Sequence, residues 1–205
     1  MAHNGAVVVH ERCAEVALQH RVPLRVRGMF SDSKGTEVRR SSAEVPRERW
    51  GVRAVTCSRE RSSFFRVWLE EVEDRLGAEK RIYETLAGAG ISIFFVGVSR
   101  HTTDFAVRSE LTERVEDILR ALLDAEFPKA HLETIPDCCM VSVVGPNLKG
   151  VWGVMSRIAD ALFTKGIKVV QFADSPYSTS CLVPSEKASE AVKALHEAFA
   201  LDKVA

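Results

Sequence analysis

"AGISIFFVGVSRHTTDFAV" (residues 89–107) and "KGIKVVQFADSPYSTSCLV" (residues 165–183) have one shape: a glycine after a helical run, an apolar strand, a polar turn and a second strand. Around them, residues 76 positions apart match without a gap. Gly77 pairs with Gly153, Ile82 with Ile158, Leu86 with Leu162, Gly90 with Gly166 and Ile91 with Ile167. The match continues through Ser99 and Ser175, Thr103 and Thr179, Val107 and Val183, and Ser109-Glu110 and Ser185-Glu186. Self-similarity at a fixed offset over this length means two copies of one folding unit, about residues 63–123 and 139–199.

Each copy reads alike. A short apolar strand, FFRVWLE or MVSVVG, leads into a loop ending in Gly77 or Gly153. A helix follows with Ile82 and Leu86, or Ile158 and Leu162, four apart on one face, and Gly90 or Gly166 stops it at the C-cap. Two strands joined by SRHTT or SPYST come next, then a second helix with Ser109 or Ser185 expected at its N-cap. One more strand closes this order into a ferredoxin-like βαββαβ unit, so the fold class is α+β with antiparallel sheets. HLETIPD (131–137) serves the first copy, but only ALDKVA follows the second. GVRAVTCS (51–58) is therefore predicted to complete the second copy, interlocking the two. The expected division is 1–49 as a preceding remnant and linker, 50–137 as the first unit and 138–205 as the second.

Composition bounds the function. The 205 residues are 46% hydrophobic and 27% charged, with no net charge. No run of eighteen apolar residues and no secretory leader pattern occurs, so no membrane contact and a cytoplasmic location are expected. Five cysteines without CxxC, and histidines without shared ligand spacing, predict reduced thiols in ordinary packing, no metal site and no cofactor. Residues 1–66 carry 13 Lys and Arg against seven Asp and Glu, a surplus of six. These charges lie scattered, without interleaved aromatics or an RNP1 string, and the adjacent Phe94 and Phe95 are expected on opposite faces of their strand, so no nucleic acid is expected as partner. No phosphate-binding glycine motif and no nucleophile–base set is present, which leaves no catalytic residue to nominate.

The loop glycines suggest binding instead. Backbone N–H groups at Leu76-Gly77-Ala78 and Trp152-Gly153-Val154 open helices, where an amino-acid carboxylate would be welcome, and glycine lets a ligand approach closely. The ammonium group would meet carbonyls and side chains at the start of the next strand, at Ser92, Ile93 and Phe94 or at Lys168 to Val170 in the second copy, with Asp74 the nearest acid in the first loop. Asn147 and Lys149 lie in the second loop, and Gln171 and Ser175 in a polar patch for which turn chemistry is the competing reading.

These residues carry a family likeness. The tandem units, the ending AVKALHEAF and the stretch GAVVVHERCAEVALQHRVPLRVRGMFSDSKGTEV (5–38) resemble the paired ACT domains of bacterial aspartate kinases and the last helix and strand of the kinase domain before them. The likeness implies an allosteric regulatory portion that senses an end-product amino acid, diaminopimelate, lysine or threonine. It also implies a homodimer through the ACT units and partnership with an aspartate kinase catalytic subunit or domain. QFADSPYSTSCLV is similar to the diaminopimelate-sensitive group, whereas Phe94 stands where lysine-sensitive members commonly carry Asp. The family's Lys-Phe-Gly-Gly segment is absent, so no phosphoryl transfer is expected from this chain alone. A stand-alone amino-acid sensor, a nucleic-acid binder on a ferredoxin-like sheet and an acylphosphatase-like enzyme are the competing readings.

Overall fold

The computed structural model describes residues 9, 11–38, 51–145 and 148–203. Helix α1 (Glu11–Gln19) and a hairpin of β1 (Leu24–Val26) and β2 (Thr36–Val38) come first. The main body is one antiparallel sheet in the order β4-β5-β3-β6-β8-β7. Its strands are β3 (Ala54–Trp68), β4 (Phe94–Val98), β5 (Thr102–Arg108), β6 (His131–Val144), β7 (Gln171–Asp174) and β8 (Ser178–Pro184). Helices α2 (Arg75–Gly88), α3 (Thr112–Glu126), α4 (Val154–Thr164) and α5 (Ala188–Ala198) cross between them.

The two central strands belong to both units. The second half of β3, rich in the β-formers Phe, Val and Trp, pairs with β5 and with the start of β6, Phe65 facing Thr134 and Trp68 facing His131. Its first half pairs with the end of β6, Ala54 facing Val144 and Cys57 facing Val141, beside β8. The segment Ala54–Cys57 thus closes the second unit from a position before the first. Between the halves the ladder slips twice, between Cys57 and Arg61 and between Ser62 and Phe64, and Asp137 takes φ 53. Each bulge adds unpaired residues and bends the strand, so the sheet turns where one unit passes into the other. The boundary expected at 137/138 falls inside β6, at this bend.

The four helices lie on one face. Ile82 and Leu86 of α2 and Val115 and Leu119 of α3 pack with Phe65, Phe105 and Val107, while Ile158, Leu162 and Leu195 pack with Val141, Val143, Cys181 and Val183. Alternation turns the residues between them to the other face. There Phe64, Ala106, Cys138 and Leu182 form a third cluster, all fully buried, capped by Phe94, Phe95, Ile135, Met140 and Val170. The sheet curls around that cluster until β4 meets β7: a Cβ on Gly97 would stand 2.6 Å from Gln171 Nε2.

Two local expectations are corrected. Phe94 and Phe95 share a face, edge to face with ring centroids 6.1 Å apart, because Phe95 adopts φ 52 and a bulge separates Phe94 from Gly97. Ser109 and Ser185 do not cap α3 and α5 with their side chains. Both start a 3-10 turn, Ser109–Leu111 or Ser185–Lys187, that feeds the helix. The helix stops are as the glycines imply: Gly90 and Gly166 have φ 71 and 64, and Ile91 N and Ile167 N reach back to Leu86 O and Leu162 O. Among the described residues no helix is long and apolar enough to cross a membrane.

Candidate functional site

The first helix of each unit begins beside the polar turn of the same unit. In unit 1 the Arg75 guanidinium forks onto Glu79 Oε1, at 3.0 and 2.8 Å, and donates to Arg100 O at 2.7 Å. In unit 2, Leu148 N donates to Pro176 O at 3.0 Å and Gly145 N to Tyr177 O at 2.9 Å. The turns themselves are duplicates. Ser99 Oγ accepts from the N–H groups of His101 and Thr102 and meets Thr102 Oγ1 at 2.8 Å. Ser175 Oγ accepts from those of Tyr177 and Ser178 and meets Ser178 Oγ at 2.9 Å. The Ser175 hydroxyl is thereby engaged in holding its turn.

At the helix starts the copies part. Asp74 is the N-cap of α2, and its Oδ1 accepts from Gly77 N at 2.9 Å. Gly77 is glycine because a Cβ there would lie 2.1 Å from Asp74 Oδ2. A carboxylate from the chain itself thus sits at the helix start of unit 1, where its Oδ1 caps the Gly77 N–H. Leu76 beside it is 77% exposed, and Ala78 is buried. In unit 2 the N-cap of α4 is Gly153 in the left-handed region, φ 78, and no side chain among the described residues caps it. The first N–H groups of a helix have no intrahelical acceptor, so those of Val154 and its neighbours keep an electropositive end. Trp152, 92% exposed, stands next to it, and Val154 is buried. Asn147 and the side chain of Lys149 lie outside the described parts, and the Lys149 backbone sits in the turn Leu148–Gly150.

The strand starts lie elsewhere. Ser92, Ile93 and Phe94 follow the far end of α2, about 20 Å from Gly77 along a 14-residue helix. Ser92 is exposed, Ile93 leans on the unit 1 core and Phe94 on the third cluster. Gln171 stands against Gly97 at the β4–β7 seam. The structure therefore does not bring Ser92–Phe94 to the glycine of the same unit. Sequence reasoning misses a cavity of about 320 Å³ lined by Glu71, Val72, Glu73 and Asp74 against Glu126, Phe127, Pro128 and Lys129. Its walls come from the loop before α2 and the loop after α3, and their shared acidity is the one sign of it in the residues.

Comparison with known proteins places this geometry. An ACT domain model matches residues 133–197. Aspartokinase 1 of Bacillus subtilis is 30% identical over 203 residues, covering 99% of this chain and 49% of its own length. The chain is similar to the tandem ACT region of aspartokinases. It spans about half the length of the curated relatives it matches. Among solved structures, the ligand-free regulatory subunit of aspartate kinase from Thermus thermophilus superposes with TM-score 0.62 and 23% identity, over 73% of this chain and 99% of its own. Aspartokinase III of E. coli in complex with lysine and aspartate, described as the T-state, superposes with TM-score 0.68 and 20% identity, over 97% of this chain and 44% of its own. The matched residues begin at Glu133, near the start of β6, and end in α5, so the second unit carries the stronger sequence pattern.

Proposed function

We propose that this ACT region is the effector-sensing regulatory portion of an aspartokinase, that its ligand is a small amino acid, and that unit 2 is the primary site. The supporting observation is the uncapped start of α4 at Gly153, set against the start of α2 that Asp74 closes. The effector carboxylate accepts from the N–H groups of Gly153 and Val154, beneath Trp152. Its ammonium group meets carbonyl oxygens at a strand start such as Ser92–Phe94, supplied by a second copy of the chain, since about 20 Å separates the two elements within one unit.

A homodimer is part of this reading. Val96 and Val98 of β4, at one end of the sheet order, are exposed, an apolar pair that a second copy of the chain would cover. The partner whose equilibrium shifts is an aspartate kinase catalytic domain or subunit, in the cytoplasm, and a coupling of about 1–3 kcal/mol would change its activity by roughly 5–150-fold. Lysine is one candidate by analogy with the lysine complex of E. coli aspartokinase III, and diaminopimelate and threonine are the others. Titration calorimetry with each of the three should give a saturable heat for one, with a dimer by sedimentation. Absence of heat and of any thermal shift with all three would overturn the sensing role.

A further inference from the structure

The sequence predicts the cysteines only as packing, yet two of the five are neighbours in space. Cys57 of β3 and Cys139 of β6 hold their sulfur atoms 3.0 Å apart, 82 residues apart in the chain. The bulge makes the pair. Cys57 stands opposite Val141 and Cys139 opposite Arg61, and the unpaired Ser58–Glu60 stretch draws both thiols over the Ser58 carbonyl, at 3.5 and 3.2 Å. The other thiols differ. Cys13 is exposed and far along the chain, Cys138 points into the third cluster, and Cys181 is buried and donates to Val141 O at 3.4 Å. Burial pushes Cys138 up to about 11 and Cys181 up to about 12. The two sulfurs share a hydrogen bond in which either can donate; that contact lowers the Cys57 thiol to about 7, while the same contact and burial raise Cys139. Cys57 is half-buried, so a small oxidant reaches it.

We propose that Cys57 and Cys139 are a modification site, a dithiol that a hydroperoxide converts to a reversible disulfide across the two central strands. The Cys57 thiolate attacks one peroxide oxygen, the O–O bond breaks, and the departing hydroxide takes a proton to become water, leaving a sulfenic acid on Cys57. The Cys139 sulfur then attacks the Cys57 sulfur, the S–O bond breaks, and the second hydroxide leaves as water with the Cys139 proton. Two thiols and one hydrogen peroxide give one disulfide and two waters. The bond closes a loop that contains all of unit 1 and fixes the bulge through which the chain passes into unit 2. Beside that bulge Asp137 holds Arg61 at 2.8 Å and Ser185 at 2.6 Å, so the linkage sits at the junction of both units.

The test treats the intact chain with one equivalent of hydrogen peroxide, alkylates it and maps its peptides without reduction. The expected result is the loss of two alkylatable thiols, an intact mass lower by two hydrogens, a single linked peptide pair containing Cys57 and Cys139, and full recovery with dithiothreitol. Cys139→Ser should instead accumulate a dimedone-reactive sulfenic acid on Cys57, and Cys13→Ser should behave as the parent. Both thiols remaining alkylatable, oxygen addition without a Cys57–Cys139 link, or a link routed through Cys13 would each overturn the proposal.

Discussion

The two ACT units keep the same scaffold and part at two small places. Ile82 and Ile158, Leu86 and Leu162, Gly90 and Gly166, and Ser99 and Ser175 do the same work in each copy. The helix starts differ: Asp74 caps α2, whereas α4 opens on a left-handed Gly153. The entries to the second helices differ as well. Ser185 donates to Asp137 at 2.6 Å, but in the first copy the residue 76 positions before Asp137 is Arg61, a donor only, and the buried Ser109 Oγ has no hydrogen-bond partner among the described residues. Duplication preserved what folds the unit and released what fills its polar ends. Two copies therefore need not mean two equal sites.

The largest effects should be symmetric. Ile82 and Ile158 are both essentially inaccessible, so Ile82→Ala and Ile158→Ala should each cost about 3 kcal/mol in urea unfolding. A large difference between them would show that one unit contributes little to the cooperative fold.

The glycines should separate the copies. Gly77→Ala should cost about 1 kcal/mol by displacing the Asp74 carboxylate, and the same change in an Asp74→Ala background should cost little or stabilise α2. Gly153→Ala should cost about 1–2 kcal/mol in any background, because the strain lies in its backbone at φ 78. A double-mutant cycle in urea distinguishes the two cases.

Much of this fold is legible in the residues alone. The gapless repeat defines the unit, and the missing last strand of the second copy points to residues 51–58. What stays hidden depends on single backbone angles. Alternation assigns Phe94 and Phe95 to opposite faces, and only φ 52 at Phe95 turns both onto the third cluster. The dithiol is hidden for the same reason, since Cys57 and Cys139 meet across a bulge that no residue spacing announces. The Asp74 cap, by contrast, is readable: an acid three residues before Gly77 fits the N-cap rule better than it fits an ammonium ligand.

A smaller effect should separate the serines. Ser185→Ala should cost about 1 kcal/mol, while Ser109→Ala, which removes an unpartnered buried hydroxyl, should be neutral or slightly stabilising, both read from thermal unfolding. Equal losses at both would contradict the asymmetry. The smallest effect concerns acid. Hydrogen bonding from Ser185, then pairing with Arg61, holds the Asp137 carboxyl below its ordinary 3.8. A depressed folded value adds stability above pH 3.8 that disappears as pH falls through it, so Asp137→Asn should flatten the acid limb of the stability curve below about pH 4 and leave its slope at neutral pH unchanged.

On the proposed reading, unit 2 presents an open helix start to an amino-acid carboxylate, whereas Asp74 fills the start in unit 1. Amide chemical shifts followed while lysine, diaminopimelate and threonine are titrated into the intact chain test this most directly. Saturable shifts are expected at Gly153, Val154 and Met155 for one of the three, with Gly77 and Ala78 little changed. Saturable shifts at Gly77 and Ala78 with none at Gly153 would contradict it.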